Sequence, residues 1–243
     1  MATNRGSGRG RVLSAIIFDV DGVLLQSPHE EAWRKALDGY ADPKRFTTAM
    51  YQAEVAGKPR LEGARAALKA LGVRDAAGQA QAYAQKKQAC IEAMIRNGGI
   101  KAYPDALDLV TAITRLGLPM AAASASKNAN EMMAPLKLAS GKPLLSAFAA
   151  NLCGVDVRHG KPGPDLYLAA AGALGEAPQA CVVFEDAPVG IEAALAGRMA
   201  AVGVARLGDQ DGLHKVHADL VVKSLDDIAA DALAEGRLAG TAA

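Results

Sequence analysis

The 243-residue chain is 51% apolar and 22% charged, a composition that can bury a sizeable core and is neither disordered, collagenous nor disulfide-rich. Lys plus Arg number 27 against 26 for Asp plus Glu, so the formal net charge of +1 leaves no global field to draw in nucleic acid or an anionic membrane. No apolar run approaches the roughly 18 residues of a membrane span, and Cys90, Cys153 and Cys181 are too few and too scattered for a disulfide framework or structural zinc, which predicts a cytoplasmic protein.

Met1–Arg11 is polar, Gly-rich and basic with no apolar stretch behind it, and reads as a disordered tail rather than a signal peptide. Ser14–Val20 is a short apolar run that ends in acid and glycine, the pattern of a buried strand and a turn. From 27 to 100 the spacing is helical, over His29–Leu37, Asp42–Val55, Arg60–Leu71 and Ala76–Asn97, with no convincing strand among them. Leu61, Ala64, Leu68 and Leu71 fall on one predicted face. Leu25–Pro28 and Gly98–Pro104 are the expected hinges of this inserted module.

Beyond it, strands are expected at Pro119–Ser124, Ala147–Gly154, Cys181–Asp186, Ala200–Ala205 and Asp219–Val222. Helices are expected at Asp105–Leu116, Asn128–Leu138, Asp165–Leu174 and Val189–Ala196. Alternation of this kind predicts an α/β class, a Rossmann-like, doubly wound parallel sheet with an inserted α-helical cap. The expected division is an α/β core of 12–26 plus 101–228, a helical cap of 27–100 and the tail of 1–11.

Four short segments carry candidate chemistry, each at or just past the end of an expected strand. Phe18-Asp19-Val20-Asp21-Gly22 places Asp19 and Asp21 on the same side of the strand end, because side chains two apart share a face. Two close carboxylates need a counter-charge or a shared proton, which suits a divalent cation and phosphate handling, although an ordinary Asp-Gly turn has the same letters. Ser124-Ala125-Ser126-Lys127-Asn128 offers hydroxyls and free N–H groups at a helix start, for a phosphate or simply for capping. Gly160-Lys161-Pro162-Gly163-Pro164 restrains one lysine between prolines, or is a surface turn. Glu185-Asp186 again puts acid at a strand end, as a helix N-terminus would also favour.

In this order the segments resemble the haloacid dehalogenase-like phosphotransferase superfamily over about residues 13–225. The chain looks most like its β-phosphoglucomutase-like branch, whose Ala-Ser-Ala-Ser-Lys-Asn run stands at Ala123–Asn128. Gly57-Lys58-Pro59-Arg60 matches that branch's cap arginine segment, Lys87 its cap lysine, and His29 a histidine that places the lysine. Gln88 stands where the mutase motif has asparagine, and Leu25-Gln26-Ser27 departs from the usual hinge.

The resemblance implies that Asp19 is the nucleophile and Asp21 the general acid and base, with Ser124 and Lys161 holding phosphoryl oxygens. It implies Mg²⁺ held by Asp19, Asp21 (through its carbonyl) and Asp186, with Glu185 beside them. Gly22, His29, Arg60, Lys87, Ser126, Lys127 and Asn128 are the implied substrate-binding set. The expected activity is a Mg²⁺-dependent phosphatase of a small phosphorylated metabolite, a sugar phosphate, through an aspartyl phosphate. The alternatives are a β-phosphoglucomutase and, in another class, a catalytically silent phosphate-binding module. The expected partner is a small-molecule phosphate ester, with no nucleic acid or membrane, and the chain is expected to be a monomer.

Overall fold

The computed structural model describes residues 12–26 and 28–241, so the tail expected at 1–11 and the hinge residue Ser27 lie outside the described residues. The first strand, β1 (Ala15–Phe18), is buried at every position, as a strand covered on both faces must be. It is followed by the short β2 (Leu25–Gln26). Four helices come next: α1 (His29–Ala36), α2 (Thr48–Glu54), α3 (Arg60–Ala70) and α4 (Ala76–Arg96). The chain returns through β3 (Lys101–Ala102), which pairs antiparallel with β2.

From there strands and helices alternate. The order is α5 (Pro104–Leu116), β4 (Met120–Ala122), α6 (Ala129–Met133), β5 (Ala150–Asn151), α7 (Asp165–Leu174) and β6 (Cys181–Glu185). It continues with α8 (Pro188–Ala196), β7 (Ala200–Val204), α9 (Gln210–Lys215), β8 (Leu220–Val222) and α10 (Ala230–Ala234).

The main sheet has six parallel strands in the order β5-β4-β1-β6-β7-β8. Successive residues of each strand feed opposite faces. Ile16, Phe18, Val182 and Phe184 enter one apolar cluster, and Ala15, Ile17, Cys181 and Val183 enter the other. Both faces are therefore covered, and the sheet is the doubly wound α/β fold that the alternation predicts. Because the strands are parallel, β1, β4 and β6 all end on one edge, where ligands of such sheets bind. No helix among the described residues is long and apolar enough to cross a membrane.

The helices of 29–96 enclose a third apolar cluster built on Trp33, Leu37, Phe46, Leu68 and Tyr83. The Tyr83 hydroxyl donates to the Trp33 carbonyl at 2.9 Å, which satisfies a buried polar group inside this small core. Several expected boundaries move. The helix expected over Asp42–Val55 is broken into a 3₁₀ turn at Pro43–Arg45 and α2, because Phe46 turns into the core and Thr47 starts a new helix by accepting from the Met50 N–H. Leu61 lies outside the expected apolar face and is 41% exposed; Gly63, Ala64, Ala67 and Leu68 pack instead. The helix expected to Leu138 ends at Met133, just before Pro135, which has no N–H to donate. The strand expected over Ala147–Gly154 contracts to the edge strand β5.

One ion pair fastens the chain where it leaves the core. Arg206, just past β7, donates from Nε to the Gly22 carbonyl at 3.2 Å and from Nη2 to the Val23 carbonyl at 3.0 Å. Its Nη1 meets Asp105 Oδ2 at 2.7 Å, and its guanidinium lies 3.7 Å over the Tyr103 ring. Asp105 also accepts from the Ser224 hydroxyl and the Leu225 N–H, each at 2.8 Å. Burial pushes the Asp105 carboxyl up, but Arg206, Leu225 and Ser224 outweigh it and hold it below the usual carboxylate range. Arg206→Met strands a buried carboxylate, so urea unfolding should show a loss of about 3 kcal/mol.

Candidate active site

Asp19 directly follows β1, and its N–H donates to the Phe184 carbonyl of β6 at 2.9 Å, which fixes its place at the sheet edge. Lys161 enters from the loop before α7. Its ammonium lies 2.6 Å from Asp19 Oδ1 and 2.5 Å from Glu185 Oε1. All three residues are buried. Burial pulls the lysine down, but Asp19 and Glu185 outweigh it and keep the ammonium charged. Burial likewise pushes the Asp19 carboxyl up to about 8 against the pull of Lys161, with Glu185 and Asp21 adding to the rise.

Glu185 is committed on every side. Its Oε1 also accepts from the Tyr167 hydroxyl at 3.2 Å, and its Oε2 accepts from the Ala187 N–H at 2.8 Å at the start of α8. Asp186 is raised well above the usual carboxylate range by burial and by the charges of Glu185 and Asp19. Oxygens of Asp19, Glu185 and Asp186 lie within 4.8 Å of one another. Gly22 completes this corner. Its φ of +80° suits glycine, and a Cβ there would stand 2.0 Å from Asp186 Oδ2. A desolvated set of hard oxygen donors with one ammonium between them fits a divalent cation such as Mg²⁺.

Asp21 faces the helical module. Its Oδ1 lies 3.2 Å from His29 Nε2, and its Oδ2 accepts from the Ser124 hydroxyl at 3.4 Å. His29 Nδ1 lies 2.6 Å from Lys87 Nζ, so a chain of contacts runs from the core acid into α4. Burial brings Lys87 down to about 7, against the pull of Asp21 and with the charge of Arg60 adding to the fall. Burial also lowers His29. The Ser126 hydroxyl stands 3.3 Å from His29 Nε2, and Gln88 Nε2 donates to Asn128 Oδ1 at 2.8 Å. Lys127 pairs instead with Asp156 at 2.8 Å.

The helical module sits directly on the core. A Cβ at Gly57 would come 2.9 Å from Val189 Cγ2, so this positive-φ glycine lets the loop before α3 close against α8. Between the two parts lies a cavity of about 590 Å³. Asp19, Asp21, His29, Arg60, Lys87, Ser124, Ser126, Lys127, Asn128, Lys161 and Asp186 all line it. Gly22 and Glu185 do not; Gly22 borders a smaller neighbouring cavity, and Glu185 lies behind Lys161. Sequence reasoning missed Tyr51, which lines the cleft, and Tyr167, whose ring lies 5.0 Å from the Lys161 ammonium. Neither has a motif around it, and Tyr167 reads as core in a helical repeat.

A family model described as haloacid dehalogenase-like hydrolase matches residues 13–198. The chain is 31% identical to a β-phosphoglucomutase of Mycobacterium bovis, over 90% of this chain and 95% of that one. It is 30% identical to a phosphorylated carbohydrates phosphatase of Thermotoga maritima, over 75% of this chain and 80% of that one. A solved β-phosphoglucomutase of Clostridium difficile superposes with a TM-score of 0.75 at 25% identity, covering 92% of this chain and 96% of that one. The match takes in the buried lysine, the acids around it and the helical module that faces them, and the chain belongs to the haloacid dehalogenase-like hydrolases as an enzyme of phosphoryl transfer.

Proposed function

We propose that the protein is a Mg²⁺-dependent phosphatase of a small phosphorylated sugar, working through a phosphoryl group carried on Asp19. The observation that carries this reading is the buried Asp19–Lys161–Glu185 contact at the end of β1, with Asp21 and Asp186 beside it. Lys161 keeps a positive charge next to the Asp19 carboxylate and orients it for in-line attack on phosphorus. The Asp19 oxygen bonds to phosphorus, the ester oxygen departs, and Asp21 donates the proton it needs. Asp21, now a carboxylate, then takes a proton from the water that releases phosphate. Such proton transfers contribute about 10²–10⁴-fold. Ser124 and Lys161 hold the phosphoryl oxygens where charge develops.

Asp19 and Asp186, with the Asp21 carbonyl and with Glu185 beside them, would hold Mg²⁺. When bound, it neutralises charge between these carboxylates and the phosphate.

In this reading 27–100 is a cap that closes over a core of 12–26 and 101–228. Arg60, Lys87 and His29 take the sugar or a second phosphate from the cap side, and Ser126, Lys127 and Asn128 from the core side. Gly22 serves the site through its close approach to Asp186. The cap already covers the site, which supports a monomer, and the free cysteines suit a reducing cytoplasm. Relatives named for phosphorylated carbohydrates, hexitol and fructose 1-phosphate hydrolysis support the substrate class.

A second reading, β-phosphoglucomutase, is favoured by the His29–Asp21 contact, because it makes the position of the acid depend on the cap. The two readings separate by ³¹P NMR with Mg²⁺ and β-glucose 1-phosphate. Growth of inorganic phosphate supports the phosphatase; glucose 6-phosphate that depends on added glucose 1,6-bisphosphate supports the mutase.

Asp19→Asn should abolish turnover while circular dichroism and melting stay near wild type; retained turnover would remove Asp19 as nucleophile. Lys87 is charged below about 7 and neutral above it, so kcat/KM for a dianionic phosphate ester should fall as pH rises through that value. In Lys87→Met this descending limb should vanish, with kcat/KM lower throughout the acidic range.

A further inference from the structure

We propose that the main cleft has an outer subsite for an uncharged sugar ring, so that its substrate is a phosphorylated disaccharide rather than a lone hexose phosphate. The proposal rests on the phosphatase reading and extends it from the phosphate to the rest of the molecule. The lining of the cleft changes character with depth. Its buried polar residues, Asp19, His29, Lys87, Ser124, Asn128 and Lys161, form the inner end. Its exposed residues include Leu61, Gln81, Gln85 and Val155, which no step at phosphorus uses.

The amides stand on one face of α4. Gln81, Gln85 and Gln88 follow helical spacing, and all line the cleft. Gln88 is engaged with Asn128 at the inner end, at 2.8 Å. The chain re-enters the core at β3, just after the last turn of α4, so Gln85 and Gln81 lie successively farther from the sheet. At ~1.5 Å per residue the rise from Gln88 to Gln81 is about 10 Å, more than one sugar ring spans. The walls add apolar contact. Leu61, on the first turn of α3, is 41% exposed, and Val155, in the loop after β5, is 43% exposed. One borders the cleft from the cap and the other from the core. Single exposed apolar side chains are ordinary on a surface, whereas two on opposite walls of one cleft offer a ligand a place to pack.

Charge decides what kind of group fits there. Among the exposed lining residues, Glu62 and Asp156 balance Lys127 and Arg158, and Lys127 is already paired with Asp156 at 2.8 Å. The outer end therefore has no net field for a second phosphate or a carboxylate. A pyranose ring meets the remaining requirements together. Its hydroxyls donate to and accept from the amides of Gln81 and Gln85, and its face of C–H bonds packs on Leu61 and Val155. An alkyl or acyl chain would use the apolar walls and leave the amides unmatched.

The test measures phosphate release by the full chain with Mg²⁺. It compares α-maltose 1-phosphate with α-glucose 1-phosphate, trehalose 6-phosphate with glucose 6-phosphate, and all of these with n-octyl phosphate. At least one phosphodisaccharide should exceed its hexose phosphate about tenfold in kcat/KM. The gain should lie in KM, because contacts remote from phosphorus act alike before and during transfer. In Gln85→Ala that ratio should fall about fivefold, the size of one neutral hydrogen bond, and in Val155→Ser by a similar factor. Both positions are exposed, so melting should stay near wild type. If no phosphodisaccharide exceeded its hexose phosphate, or if neither variant moved the ratio, the outer subsite would be overturned and the phosphatase left standing. A preference for n-octyl phosphate would overturn the sugar ring in favour of an apolar tail. If no ester released phosphate, the phosphatase reading and the outer subsite would fall together.

Discussion

The site depends on one ammonium held out of water. Lys161 sits between Asp19 and Glu185 at the end of the central strands, where a lone charge would be costly and a matched one is held firmly. The arrangement needs the parallel sheet, because only parallel neighbours bring the ends of β1 and β6 to the same edge. It needs the residue that caps α8 as well, since the Ala187 N–H holds the far oxygen of Glu185. Carboxylates outnumber the lysine here, and burial drives Asp19 and Asp186 toward their protonated forms. That imbalance is the physical reason the corner suits a divalent cation and a phosphate, the ligands that can share the charge among them.

The cap is tied to the same charge pattern from the opposite side. His29 touches Asp21, Lys87 touches His29, and the Lys87 ammonium lies 5.0 Å from the Trp33 ring centroid within the cap core. Cap packing and site chemistry are therefore not separable: Trp33 both fills the small third core and faces the cleft. Arg206 supplies the complementary fixture on the core side, holding the backbone just after Asp21 by its Gly22 and Val23 carbonyls.

Much of this was legible in the sequence for a simple reason. Buried parallel strands must be apolar throughout, so an acid, serine or glutamate at the end of such a run stands out, as Asp19, Ser124 and Glu185 do. The helical module was legible by its change of period. Its internal packing was not, because alanine and glycine carry it: Leu61 has the right spacing, yet Gly63, Ala64 and Ala67 make the contact. Arg206 left no local signal, since its partners at Gly22, Val23 and Asp105 are distant in the chain and two of them are backbone carbonyls. The break before α2 and the brevity of β5 follow from tertiary packing and edge position, which local pattern does not record.

The pairing of β2 with β3 has a consequence of its own. The chain leaves the core and returns to it side by side, through two short strands joined in antiparallel register at Leu25–Ala102 and Gln26–Lys101. Everything between them is a loop from the standpoint of the main sheet, with its ends already closed. Insertions, deletions or wholesale exchange of the helices can alter what the cleft admits without shifting a single register position among the six parallel strands. The acidic corner at the sheet edge and the helices that face it are thus free to change at different rates.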